Sequence, residues 1–336
     1  EQARDMDRND AAVGPVINQA VNNTLQTGFT MAPKTGDKEL DTDLWYRWQD
    51  WSKDPNQCDV QGEHDFFALE TFALRQTLAD GDLVALFLDE GSLQCMESHR
   101  MRTPKSTKRN VIHGVLLNDR RRREEYWITK DDIDPMRPVS RVNEIVPYRT
   151  RDDEGFRQLA HVYNPRRVTQ TRCVTALAPI FDCLGMFEDI NFANLVRSQV
   201  VSCITFFRER TDDTPPGELP AMGQQTTETL PDGTPRVIGE MAPRLELTGA
   251  PGEKLSGFSP NIPNPEFFPH VKLILTLVGI NLGLPLVLML MDASETNFSG
   301  FRGAVDQARM GFRRNQKSLI ARFHMPIYHW KVRQWM

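Results

Sequence analysis

The hydrophobic and polar positions of the C-terminal third fall into three blocks. Residues 271–291 form an apolar run interrupted by Lys272, Asn281 and the pair Gly283/Pro285, residues 292–297 are polar, and residues 298–336 read as a long basic helix. By length and hydropathy the first block reaches the span of a bilayer, yet its interruptions suit a buried helix that ends in a loop. Asn264 serves as a cap, Pro265 fits the first helical position, Glu266 suits the positive helix end, and Gly283-Leu284-Pro285 stops the run, which predicts a helix over about 264–281.

The N-terminal half has a different pattern. Trp45, Trp48 and Trp51 recur at three-residue steps within 41–54, and Phe67, Leu74 and Leu78 at steps of seven and four within 64–79, so both segments are expected as amphipathic helices with these aromatics in the core. Asp80-Gly81 closes the second. Short apolar runs at 83–88, 93–98, 111–117, 126–129 and 142–148, divided by turn-rich pieces, predict strands and an α+β domain. The run of four arginines from Arg120 to Arg123, followed by Glu124 and Glu125, reads as a solvated hairpin tip rather than a phosphate patch.

From residue 175 to about 209, Leu177, Ile180, Phe181, Leu184, Phe187, Ile190, Leu195 and Ile204 recur near helical spacing, with Pro179 in the first turn. Such a helix is roughly 50 Å long, more than one small domain covers, and it needs partners along its length. Residues 209–265 then hold ten of the 22 prolines, seven of the 21 glycines and nine acids against four bases. Within them 236–240 and 244–248 are expected to pair as short strands. The segment is either a flexible linker or a small projecting module completed by neighbouring copies.

Charge sharpens this division. Residues 297–336 carry eight Lys and Arg against the single acid Asp306, whereas the other 296 residues hold 32 basic and 44 acidic groups. The basic end therefore faces either a polyanion, an acidic protein surface or solvent. Cys58, Cys95, Cys173, Cys183 and Cys203 are odd in number and widely spaced, so reduced thiols and an intracellular site of folding are expected. The first residues lack the charged start, apolar centre and small-residue cleavage site of a signal peptide, so none is expected there.

No phosphate loop, dinucleotide fingerprint or H-E-x-x-H occurs, and the seven histidines form no evident catalytic set. Asp131, Asp132 and Asp134, and likewise Asp152, Asp153 and Glu154, have the donors for a divalent metal, but Pro135 and Gly155 behind them suggest exposed turns. Two alternatives stay open: a protein anchored in a bilayer by 271–291, and a metal-dependent nuclease built on Asp131, Asp132 and Asp134.

Several short motifs occur in a telling order. They are Arg4-Asp-Met-Asp-Arg-Asn9, the segment from His161 to Arg172, the helix 177–197 with Asp189-Ile-Asn-Phe-Ala-Asn-Leu-Val-Arg197, the turn Pro251-Gly252-Glu253, Gly279-Ile-Asn-Leu-Gly-Leu-Pro285 and Asn297-Phe-Ser-Gly-Phe-Arg302. Together they resemble the lambda-type family of phage portal proteins, the head-to-tail connector rings. Two places depart from the family pattern: Arg172-Cys173 stands where Arg-Gly is usual, and Phe298-Ser299-Gly300 where Tyr-Ser-Ser is.

The resemblance implies an α+β portal fold: an α/β wing over 1–174, a first stem helix over 175–209, a clip with some β structure over 210–263, a second stem helix over 264–284, a tunnel loop over 285–299, and a long helix returning to the wing over 300–336, with the crown expected to be absent. It implies a ring, usually of twelve copies, at one capsid vertex, through which double-stranded DNA is packaged and ejected. Implied partners are sister copies, DNA in the channel, a large terminase subunit, a head-tail adaptor, and the major capsid and scaffold proteins. No membrane, enzyme activity, cofactor or metal is implied. The implied location is the virion and, during assembly, the host cytoplasm. Asp292, Ser294, Glu295, Thr296, Asn297, Ser299 and Arg302 are expected along the DNA path. Arg236, Glu240, Arg244, Glu246 and Lys254 are expected on the clip, where motor and adaptor dock. A conduit in which DNA slides should avoid many basic contacts, which suits an acidic clip.

Overall fold

The computed structural model describes residues 2–105, 110–130, 144–202, 206–209, 225–229, 235–239, 254–257, 267–292, 294 and 296–336. The chain forms two units, Glu1–Cys183 with Leu273–Met336, and Leu184–Lys272.

The first unit opens with five helices: α1 (Gln2–Asn9), α2 (Val13–Leu25), α3 (Lys38–Lys53), α4 (Pro55–Cys58) and α5 (Phe66–Ala79). Acidic caps set where two of them start. Asp37 accepts from the N–H of Glu39 at 2.9 Å, and Asp65 accepts from the N–H of Ala68 at 2.8 Å. Helix α2, which the sequence reading did not single out, buries Val13, Val16, Ile17, Ala20, Val21 and Leu25 at spacings of three and four. In α3 Trp48 and Trp51 are buried as expected, but Trp45 is exposed beside Tyr46. Steps of three fall short of a full helical turn, so three successive tryptophans fan across about 120° and the first leaves the covered face. In α5 Phe66 leads the buried stripe through Leu69 and Ala73, whereas Phe67 is exposed.

Two antiparallel sheets follow. One has the order β2-β1-β7, with β1 (Asp82–Phe87) between β2 (Leu93–Glu97) and β7 (Leu159–Tyr163). The other runs β3 (Val111–Ile112), β4 (Val115–Leu117), β5 (Arg123–Thr129), β6 (Ile145–Arg149). The single strand expected over 111–117 is a hairpin instead. His113 and Gly114 both have positive φ, 51° and 83°, which matches a tight two-residue turn and divides the apolar run. Strand β1 is buried throughout, so it reads as a continuous apolar run. Val84 and Leu86 pack with Met96, Val115, Tyr126 and Ile128 in a cluster shared by both sheets, while Phe87 stacks on Trp330 at 4.9 Å. Of the arginine run, Arg120, Arg121 and Arg122 form the expected turn over Asn118, but Arg123 opens β5 and donates to the Tyr163 hydroxyl and, at 2.8 Å, to the Thr171 carbonyl.

The residues after β7 are held by a buried carboxylate. Asp82 accepts both forks of Arg172, at 2.7 Å from Nε and 2.8 Å from Nη2, and the same guanidinium donates to the carbonyls of Ser98 (2.7 Å) and Met101 (3.1 Å). His161 Nε2 lies 3.2 Å from Asp82, and its Nδ1 lies 3.1 Å from the Tyr126 hydroxyl. Burial keeps His161 below its ordinary pKa despite Asp82. In the neutral ring Nε2–H then donates to the carboxylate and Nδ1 accepts from Tyr126. Burial alone would raise the Asp82 pKa, but the hydrogen bonds from Arg172 and His161 outweigh it and hold it at about 2.

A short turn at Ala178–Ile180 leads into α6 (Phe181–Ser202). The expected 35-residue helix is cut short, because Phe206–Glu209 is strand β8. The run Val200-Val201 through Phe206-Phe207 is β-branched and aromatic, and that composition favours a strand over more helix. In the second unit β8 pairs with β11 (Lys254–Gly257), and β9 (Gln225–Thr229) pairs with β10 (Pro235–Gly239). The partner expected for 236–240 was 244–248, which lies outside the described residues. The observed partner β9 has no apolar alternation to betray it, only threonines of high strand propensity.

The chain returns through α7 (Phe267–Leu282) and α8 (Leu286–Leu290) to α9 (Phe298–Leu319), a π turn at Ile320–His324, and α10 (Met325–Trp335). The π turn precedes Pro326, whose ring and missing N–H are incompatible with an unbroken α-helix there. Helix α10 is fastened to the first unit by Lys331. Its Nζ donates to Gly91 O at 3.1 Å and lies 4.9, 5.1 and 5.4 Å from the rings of Trp51, Trp330 and Trp335, and burial pulls its pKa down to about 8.

Because the Asp82 carboxyl titrates lower in the fold than in the unfolded chain, its stabilisation is present above pH 4 and lost as the pH falls toward 2. Asp82→Asn should flatten the acid limb of stability against pH over that window, measured by urea unfolding. Arg172→Ala at pH 7 should cost about 3–5 kcal/mol, because it strands a buried charge.

Candidate functional site

The segment from α7 to the start of α9 carries most of the expected functional residues. Helix α7 is apolar on all sides, yet only Ile274, Val278, Gly279 and Leu282 are buried. Phe268, Leu273, Leu277 and Ile280 remain exposed, Ile280 to 68% and Leu273 to 56%. Among the described residues of α6 the same holds. Leu184 is buried, whereas Met186, Phe192, Leu195 and Val196 are exposed. A concentration of large apolar side chains in water on two regular helices is the signature of a surface meant to be covered. No helix among the described residues is long and apolar enough to cross a membrane. The 271–291 run fails as a span because it is two helices, the longer of 16 residues or about 24 Å.

The break between them is built by glycine. Gly283 has φ 73°, its N–H donates to Ile280 O at 3.3 Å, and the Leu284 N–H reaches back to Gly279 O at 2.8 Å. These are the two hydrogen bonds of a Schellman ending, with buried Leu284 as its apolar plug. Gly279 is required for a second reason: a Cβ there would sit 2.4 Å from Leu284 O and 2.4 Å from Met289 Sδ. Pro285 then caps α8, and Met291 ends it at φ 52°. The expected cap at Asn264, Pro265 and Glu266 lies outside the described residues.

Asp292, Ser294, Thr296 and Asn297 in the loop that follows, and Ser299 and Arg302 at the start of α9, are all exposed, and Glu295 lies outside the described residues. Asp292 Oδ1 accepts from the Ser294 N–H at 2.8 Å. Asn297 is the cap of α9. Its Oδ1 accepts from the Gly300 N–H at 2.7 Å and from Ser299 Oγ at 3.0 Å, so both side chains also brace the loop end. Of the residues expected on the clip, Arg236 stands opposite Glu228 in the β9–β10 ladder and Lys254 opposite Glu209 in the β8–β11 ladder. Glu240, Arg244 and Glu246 lie outside the described residues.

The candidate metal clusters divide. Asp131, Asp132 and Asp134 lie outside the described residues. Asp152 and Glu154 receive the two arms of Arg333, which ties this turn to α10, and Asp153 pairs with Arg149 at 3.1 Å. Among the described residues no group of three or more His, Cys, Asp or Glu is arranged to hold a metal. Cys58, Cys95, Cys173 and Cys183 are free thiols, and burial first of all pushes Cys58 and Cys95 up to about 12. The sequence reading missed the Asp82, His161 and Tyr126 set. Its only signal was the presence of Arg172 and His161 in one motif.

A family model described as phage portal protein, lambda family, matches residues 1–316. No curated protein matches the chain. Among solved structures, the neck of a native gene transfer agent particle computed with C12 symmetry is similar at TM-score 0.52 and 11% identity, covering 94% of this chain and 75% of that one. The neck of an empty particle computed with C6 symmetry is similar at TM-score 0.51 and 11% identity, covering 96% and 82%. At that identity the likeness is one of fold.

Gly283→Ala should destabilise the first unit by about 1 kcal/mol through its left-handed backbone. Gly279→Ala should cost more, about 1–3 kcal/mol, since backbone or Met289 must move. Urea midpoints of the two variants would show the order.

Proposed function

Because the chain belongs to the lambda family of phage portal proteins, we propose that copies of it close into a ring at one vertex of a phage-like capsid and form the passage for double-stranded DNA during packaging and ejection. The observation that carries this reading is the uncovered apolar surface of α6 and α7. In a ring each copy offers one face to the next and receives another, a heterologous contact that closes without exposed ends. Such burial returns about 25 cal/mol per Å² of apolar surface, which is what two bare helices lack in a lone chain. Twelve copies is the number we favour, by analogy with the neck computed with C12 symmetry.

Within that reading, residues 1–174 form the wing, α6 and α7 the stem, 210–263 the clip and 285–299 the tunnel loop. Asp292, Ser294, Glu295, Thr296, Asn297, Ser299 and Arg302 face the DNA path. Arg236, Glu240, Arg244, Glu246 and Lys254 belong to the face that docks a large terminase subunit and later a head-tail adaptor. The motor supplies ATP hydrolysis, and the ring supplies a symmetric passage whose loops act as a valve. Major capsid and scaffold proteins surround the wing during assembly in the host cytoplasm. The described loop residues contribute a cation only at Arg302, which suits a duplex that must slide.

Sedimentation and negative-stain class averages should show a large ring with a central hole. A compact monomer at every concentration would overturn the proposal. Ile280→Asp together with Leu277→Asp should raise the dissociation concentration of the ring at least roughly tenfold, which corresponds to about 1.4 kcal/mol. Deleting residues 293–295 should leave the ring intact while lowering DNA packaging or retention in a particle assay.

A further inference from the structure

The arginine run at the β4–β5 turn does more than shape a hairpin. Arg121, Arg122 and Arg123 line a cavity of about 460 Å³ together with Arg151, Arg157 and Arg322, and no carboxylate is among its lining residues. Six guanidinium groups around one space carry about six positive charges, and in a folded protein such a cluster repels itself unless an anion is present. The nearby acids are engaged elsewhere. Asp82 is bound by Arg172 and His161, and Asp152 and Glu154 by Arg333.

The cluster is held in shape by a single ring. The Arg322 guanidinium lies 4.0 Å, and that of Arg123 4.5 Å, from the centre of Tyr163, whose hydroxyl Arg123 also reaches. His161 stacks on the same ring at 4.4 Å and is neutral by the argument above. Two like-charged groups are thus fixed close together. A second observation points the same way. Thr150 Oγ1 and Arg123 Nε, both on lining residues, are buried with no hydrogen-bond partner among the described residues. Leaving a buried donor unsatisfied costs about 1–3 kcal/mol, so the walls of this cavity carry two such costs. The pKa of Arg157 is lowered, first by desolvation and then by the like charge of Arg151. Arg157 itself is exposed at the rim of the cavity.

We propose that this cavity is a binding site for a phosphate-bearing anion, taken either from the backbone of a nucleic acid or from free polyphosphate. Phosphate is favoured over a single carboxylate by charge and by geometry. One carboxylate offsets one of six cations, whereas adjacent phosphates offset several, and arginine forks match phosphate oxygens in pairs. The site lies wholly within the first unit and does not rest on the ring reading.

The test uses the full chain with three probes: inorganic pyrophosphate, a short DNA duplex and polyglutamate. Calorimetry and fluorescence anisotropy would compare it with Arg122→Glu/Arg157→Glu, two exposed residues whose side chains make no hydrogen bond or ion pair among the described residues. Binding of the duplex, weakened at least tenfold in the variant, with the slope of log K against log salt reduced by about 2, supports the site and assigns it to nucleic acid. Binding of pyrophosphate alone, equally lost in the variant, supports it and assigns it to free phosphate. Binding of polyglutamate alone, no binding of either phosphate probe, or phosphate binding unchanged by the substitutions would overturn it. Should the double variant fail to fold, Arg122→Gln/Arg157→Gln removes the charge without reversing it, and the same outcomes apply.

Discussion

One buried carboxylate organises the first unit. Asp82 begins the central strand with no exposure to water, and a charge in that position is tolerable only if its oxygens are fully met. Arg172 meets them with both forks and uses its remaining hydrogens on the carbonyls of Ser98 and Met101. His161 supplies a third donor and is itself oriented by Tyr126. Strand β1, the end of β2 and the segment leading to α6 are therefore tied at one point. Helix α6 begins a few residues beyond that anchor.

The C-terminal helices form a second tie. Arg333 grips Asp152 and Glu154, Lys331 sits among three tryptophans, and His324 lies 2.5 Å from Glu70. Much of the basic surplus of this stretch is thus spent inside the chain. Arg302, Arg313, Arg314 and Lys317 have no ion pair among the described residues, and they leave the outer part of α9 strongly positive. Together with the arginine-lined cavity, this gives an acidic chain two basic regions within one unit.

A different physics governs α6 and α7. Their sequences are apolar enough to seek burial, but the chain covers only part of each. The Schellman ending at Gly283 keeps α7 from running on into α8, so α7 stops after 16 residues. Exposed apolar surface of this extent marks a site of association.

The sequence by itself determined the family, the α+β character of the first half, the stop at Gly283-Leu284-Pro285 and the acidic, proline-rich stretch between the two long helices. Each of these rests on local chemistry or on motif order, which a one-dimensional pattern records. Only the tertiary structure decided that Trp45 lies in water, that 111–117 is a hairpin, that helix gives way to strand before Glu209, and that Pro326 is absorbed by a π turn. It alone brought Asp82, His161 and Arg172 together across up to 90 residues and gathered six arginines from four separate segments around one cavity. The reason is physical: periodicity tells which side of an element is apolar, but which polar groups share a space depends on how the elements pack, and charge interactions act through that space rather than along the chain.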